Sequence, residues 1–153
     1  MTISRTHFIM FATAILATVV VFFALADVAR GRVVANGYNL DVIVADTFLE
    51  RRNGLSGFTS DNLGADGMLF VFDDALVRDF WMKGMKFPLD VIWLKDGKIV
   101  DVEYDVPAPE DGEEPETMTS SPIPVDMVLE LPAGKASELG IVSGMKLEVL
   151  LDE

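Results

Sequence analysis

The 153-residue chain is 50% hydrophobic and carries 25 acidic against 12 basic residues, a formal charge of −13. It has no cysteine and a single histidine, His7. This excludes disulfides, thiolate zinc sites, iron–sulfur clusters and, past His7, any histidine metal site or Ser-His-Asp triad. The acidic balance argues against a nucleic-acid partner, which needs a basic face for phosphates, and the length leaves room for one domain.

The first element is apolar. Phe8 to Ala26 reads FIMFATAILATVVVFFALA, 19 residues without a charge. As a helix it would span about 28 Å, close to the hydrocarbon thickness of a bilayer. Only Thr13 and Thr18 interrupt it, too few for the polar face of a helix packed on a small domain. Two membrane readings stay open for residues 1–26. Arg5 and the small residues Ala24-Leu25-Ala26 fit a signal peptide cleaved after Ala26, which would leave a secreted or periplasmic domain. The 19-residue length favours an uncleaved anchor, which would hold the domain on the outer side of the cell membrane. Residues 27–37 (DVARGRVVANG) read as a linker.

From Tyr38 the chain changes to short apolar runs separated by Gly, Pro and Asp, the pattern of a β-rich domain. Leu40 to Ala45 is the first expected strand. Thr47 to Asn53 reads as one or two helical turns, with Asp46 or Thr47 as N-cap and Gly54 as C-cap. Gly67 to Phe72 is continuously apolar, as in a strand buried on both faces, and Arg78 to Met82 is another candidate strand. Leu89–Lys95 and Lys98–Tyr104 flank Asp96-Gly97, the signature of a type I′ hairpin, whose two turn residues need positive φ. After Val106 the run PAPEDGEEPETMTSSPIP reads as an acidic loop with little to pack against. Val125 to Leu131 returns to strand, Ala133 to Leu139 is a short helix stopped by Gly140, and Lys146 to Leu151 is the last strand. There is no internal repeat. The fold expected is a single compact, mainly β domain, barrel- or sandwich-like with short helices, over residues 38–151.

Five segments occur in order: Glu50-Arg51-Arg52-Asn53-Gly54-Leu55, Gly67 to Phe72, Phe80-Trp81-Met82-Lys83, Pro88-Leu89-Asp90-Val91 and Leu129-Glu130-Leu131-Pro132-Ala133-Gly134. Together they closely resemble the bacterial and archaeal family called domain of unknown function 192, over roughly residues 38–151. The resemblance implies a compact, mainly β domain with short helices, often behind a signal or anchor. It implies no established activity. Three places depart from the family's common pattern. Ser56-Gly57-Phe58 stands where Met and then Arg are usual, Gly84-Met85 where Asn-Thr is usual, and Gly144-Met145 where Gly-Asp is usual. Any shared site touched by those polar groups is altered here.

The densest unusual cluster is Phe80-Trp81-Met82-Lys83 with Pro88-Leu89-Asp90. In a strand, Phe80 and Met82 share one face, and Trp81 and Lys83 the other. Asp90 begins an otherwise apolar strand, where a carboxylate needs a partner, and Arg51 or Lys83 is available. One reading is a shallow ligand site formed by Arg51, Trp81, Met82, Lys83 and Asp90. The other is a core aromatic beside a structural ion pair or a carboxylate bound to backbone amides. The thioethers of Met68, Met82 and Met85 have no imidazole or thiolate to complete a copper site and read as core fillers. The acidic loop lacks the ligand spacing of a calcium loop. No metal and no cofactor is expected. The sequence therefore points to an exported binding or accessory module of the cell envelope, partnered by the membrane through residues 8–26 and by an unknown small ligand or envelope protein. A metal-free enzyme working through carboxylates is the alternative.

Overall fold

The computed structural model describes residues 29–110 and 118–152. The apolar segment 8–26 and the middle of the acidic loop lie outside the described residues. Among the described residues, no helix is long and apolar enough to cross a membrane.

Among the described residues, nine strands and two short helices follow one another as β1 (Arg30–Ala35), β2 (Tyr38–Ala45), α1 (Phe48–Asn53), β3 (Gly67–Leu76), β4 (Asp79–Trp81), β5 (Leu89–Lys95), β6 (Lys98–Val106), β7 (Met118–Ser120), β8 (Val125–Pro132), α2 (Lys135–Glu138) and β9 (Glu148–Leu151). Seven strands form one sheet in the order β6-β5-β8-β3-β2-β1-β9, and β4 pairs with β7 in a separate two-stranded sheet. The segment read as a linker holds β1, which pairs with both β2 and β9. Its turn into β2 is Asn36-Gly37, with φ of 50° and 82°, the same chemistry as the expected Asp96-Gly97 turn with φ of 50° and 73°.

The mainly β character is as expected, but the seven-stranded sheet is not a closed barrel. Its edge strands approach each other through one isolated bridge, Lys98 to Lys146. The chain entering β9 takes up the free groups of β6 instead. Gly144 N–H donates to Ile99 O at 2.8 Å, Ile99 N–H to Met145 O at 2.8 Å and Leu147 N–H to Gly97 O at 2.9 Å. These bonds satisfy the edge without a ladder between β6 and β9.

Both faces of the sheet's centre are buried, which explains the continuous apolar runs in β3 and β5. On one face Val42, Leu69, Ile92, Leu129 and Leu131 pack with Ala136, Leu139 and Ile141 from α2 and the chain after it. On the other, Ile43, Met68, Phe70, Val91 and Trp93 pack beneath Leu55, Leu63, Met82, Met85 and Phe87. That second cover is the crossover between the parallel strands β2 and β3 together with the segment after β4. At the start of β3 a Cβ on Gly67 would lie 2.2 Å from the backbone oxygen of Glu130. Only glycine lets β3 and β8 approach this closely.

Candidate functional site

The crossover begins with α1. Thr47 caps it: its hydroxyl accepts the Glu50 N–H at 3.3 Å, while the Glu50 carboxylate accepts the Thr47 N–H at 3.0 Å. This capping box satisfies two helix-end donors and holds the Glu50 carboxyl below the usual carboxylate range, chiefly through the Thr47 side chain. The helix is therefore rigid enough to set the direction of Arg51 and Arg52 in its last turn. Arg51 donates to Val71 O at 2.8 Å and also to Asp46 O, and its guanidinium lies 5.1 Å from the Phe72 ring centre.

Opposite α1 stands β4, where alternation works as expected. Phe80 points inward, with ring centres 4.8 Å from Phe70 and 5.4 Å from Trp93, both edge to face. Trp81 points outward and is 53% exposed, with the Lys83 ammonium 5.4 Å from its ring centre. Met82 is buried in the core at 2% exposure. Its thioether packs with the hydrophobic cluster, which corrects its inclusion among ligand-contacting residues.

Between α1 and β4 lies a narrow cleft lined by Arg51, Arg52, Ser56, Trp81, Lys83 and, at its floor, Glu130. Its interior of about 30 Å³ is room for about two waters. Glu130 is on β8, with Met68 beside it on one side and Val91 on the other. It is only 5% exposed. Among the described residues its carboxyl has no hydrogen-bond or ionic partner, and desolvation alone pushes its pKa up to about 8. At neutral pH this floor is a neutral carboxylic acid, able to donate as well as accept. The rim above it is cationic, and among the described residues neither Arg52 nor Lys83 forms an ion pair. A wider open groove of about 450 Å³ adjoins the cleft and shares Arg51, Arg52 and Phe80 with it.

Asp90 is elsewhere. It is fully buried on the opposite face of β5 from Val91 and Trp93. Its Oδ1 accepts the Asp105 N–H at 3.0 Å and its Oδ2 the Ala136 N–H at 2.8 Å. Asp105 has φ of 56°, so Asp90 pins an unusual bend in β6 to the start of α2. Of the five expected site residues, the cleft gathers Arg51, Trp81 and Lys83, and leaves Met82 in the core and Asp90 in a structural role. Glu130 is the residue that sequence reasoning passed over. The available signal was a carboxylate inside the apolar strand Val128-Leu129-Glu130-Leu131, the same signal that drew attention to Asp90.

Two of the family departures meet at this cleft. A Cβ on Gly84 would lie 2.2 Å from Ser56 Oγ, and Gly57 N–H donates to Gly84 O at 2.9 Å. The small residues on the two loops are thus mutually adjusted. The third departure, Gly144-Met145, serves the turn that bonds to Ile99. Among the described residues, no group of acidic or histidine side chains is placed to hold a metal ion.

A curled, mainly β domain with a cationic cleft over a buried carboxyl is thus the class of protein defined by fold and site. Residues 31–149 match the model of domain of unknown function 192, described as an uncharacterized ACR. The chain belongs to that family. No curated protein matches it. Two solved structures are similar. One is a candidate transcription regulator from Sinorhizobium meliloti 1021, 31% identical, with a TM-score of 0.65 over 79% of this chain and 92% of that one. The other is a protein of unknown function from Novosphingobium aromaticivorans DSM 12444, 28% identical, with a TM-score of 0.64 over 78% of this chain and 83% of that one.

Proposed function

We propose that the protein is a small binding module of the cell envelope, held at the membrane by residues 8–26 with its domain outside the cytoplasm, and that it takes a polar ligand in the cleft between α1 and β4. One observation carries this reading. Glu130 is only 5% exposed, and no hydrogen bond or ion pair of its carboxyl occurs among the described residues, a costly arrangement for a group whose only purpose is structural. A carboxyl at the floor of a cleft that no described residue bonds is open to a ligand. The description of the Sinorhizobium protein as a regulator does not transfer readily, because a net charge of −13 repels a phosphate backbone.

The test is a thermal-shift screen of the full chain in detergent micelles against sugars, metal ions and metabolites of the envelope. A ligand of the native state raises the melting temperature, and the rise should shrink in Trp81→Ala and in Glu130→Gln. A screen in which no compound raises it refutes the binding reading.

A second reading is a metal-free hydrolase with Glu130 as general acid. It is favoured by the raised pKa of about 8, which keeps the acid protonated at neutral pH. Among the described residues lining the cleft Glu130 is the only carboxyl, whereas most glycoside hydrolases pair two carboxylates. Turnover of chromogenic glycosides that disappears in Glu130→Gln would favour it over simple binding.

A further inference from the structure

The charge of the cleft is opposite to that of the chain. The sequence has 25 acidic residues, yet among the described residues Glu130 is the one carboxyl lining this cleft, against the cations Arg51, Arg52 and Lys83. Arg51 is committed to the backbone oxygens of Val71 and Asp46. Arg52 and Lys83 are exposed and, among the described residues, form no ion pair. Contact with the Trp81 ring accounts for the place of Lys83, but no described carboxylate accounts for two cations on one cleft rim. In so acidic a chain, free cations would more readily be paired by neighbouring carboxylates.

Each part of the cleft selects one feature of a ligand. Lys83 and Arg52 provide charge-assisted donors for an anion. Trp81 carries the Lys83 ammonium against its ring at 5.4 Å and is still 53% exposed, which leaves indole surface on which a ring can stack beside the charge. The inner cavity of about 30 Å³ has room for a hydroxyl or a carboxylate but not for a ring. The carboxyl of Glu130 at its floor and the hydroxyl of Ser56, which also lines it, can exchange hydrogen bonds with hydroxyls. A ring bearing both hydroxyls and one negative charge satisfies all of these together.

Resting on the binding reading above, we infer that the ligand class is an acidic sugar. Its ring lies on Trp81 at the mouth, its carboxylate faces Lys83 and Arg52, and one hydroxyl reaches down to Glu130 and Ser56.

The experiment compares glucuronate and galacturonate with glucuronamide, glucose and galactose, on the full chain in detergent micelles, by calorimetric titration. Glucuronamide keeps the shape of glucuronate and removes only the charge. At least one uronate should bind about tenfold more tightly than its neutral counterparts, the difference expected of one charge-assisted contact. Lys83→Gln should erase that preference, Trp81→Ala should weaken all the sugars alike, and added salt should weaken only the uronates. Lys83, Arg52 and Trp81 are exposed, so unchanged melting temperatures will show that the variants fold. Equal binding of glucuronate and glucuronamide overturns the acidic-sugar assignment and leaves the binding reading standing. So does failure of every sugar when another compound in the wider screen binds. Uronate binding that survives Lys83→Gln, Arg52→Gln and Trp81→Ala overturns the assignment by placing the ligand elsewhere.

Discussion

Two carboxyls lie buried in this sheet, one on each face, and they have opposite circumstances. Asp90 accepts two backbone amides from segments that are distant in sequence, Asp105 and Ala136. Glu130 has no partner among the described residues and is held near neutral charge by desolvation. The strands around them are equally apolar, so burial does not separate the two. Satisfaction does. A carboxylate that holds two amides joins a bend in β6 to α2. One that holds nothing, at the floor of a cleft, is free for something outside the chain.

The largest effect should come from breaking the satisfied side. Asp90→Ala leaves two inward-facing amides without an acceptor and should lower stability by about 3–5 kcal/mol, measured by chemical denaturation. Asp90→Asn keeps one acceptor and should cost less. A loss below about 1 kcal/mol in the alanine variant would mean that Asp90 is not the clasp described here.

Next in size is the pH response of the unsatisfied side. The folded-state pKa of Glu130 is raised from 4.5 to about 8, so the folded state holds its proton more tightly than the unfolded chain. Its contribution is fully present below about pH 4.5 and is lost progressively as pH rises to about 8. By pH 7 the loss is on the order of 3 kcal/mol. Glu130→Gln is neutral throughout, so its stability should lack this decline. Parallel stability–pH curves for the two proteins would show that Glu130 is solvated or paired.

Smaller effects test the frame that carries both faces. Gly97→Val places a β-branched residue at φ of 73° and should destabilise by about 1 kcal/mol or more. Thr47→Ala removes the cap that orients Arg51 and Arg52 and should cost about 1 kcal/mol. The smallest change is expected at the rim, where Lys83→Gln should alter stability by about 0.5 kcal/mol or less, since its contacts are exposed. A large loss there would assign Lys83 to the fold and not to the cleft.

Much of the frame is legible in the chain. Asp96-Gly97 marks its hairpin, Thr47 and Glu50 mark the start of α1, and apolar runs mark β3, β5 and β8. Strand β1 was missed, although Asn36-Gly37 carries the same turn chemistry as Asp96-Gly97, because the preceding Arg30-Gly31-Arg32 looked like a polar tether. The candidate site was legible only in part. Trp81 follows from alternation along β4, Lys83 from the same alternation carried into the turn after it, and Arg51 from the end of a capped helix. Met82 lies in the core, as its place in the alternation with Phe80 already implies.

The sequence by itself determined the β character, the family, the helix cap and the two-residue turns, because these depend on φ preferences and on residues within a few positions of one another. The tertiary structure alone decided that the sheet stays open, that Asp90 is satisfied and that Glu130 is not. Those outcomes depend on which backbone groups arrive from far along the chain: Asp105 and Ala136 reach Asp90, residues 144–147 occupy the edge of β6, and the crossover after α1 covers Glu130 with a cleft. Alternation says which face a side chain takes. What meets it on that face is settled only when distant segments pack.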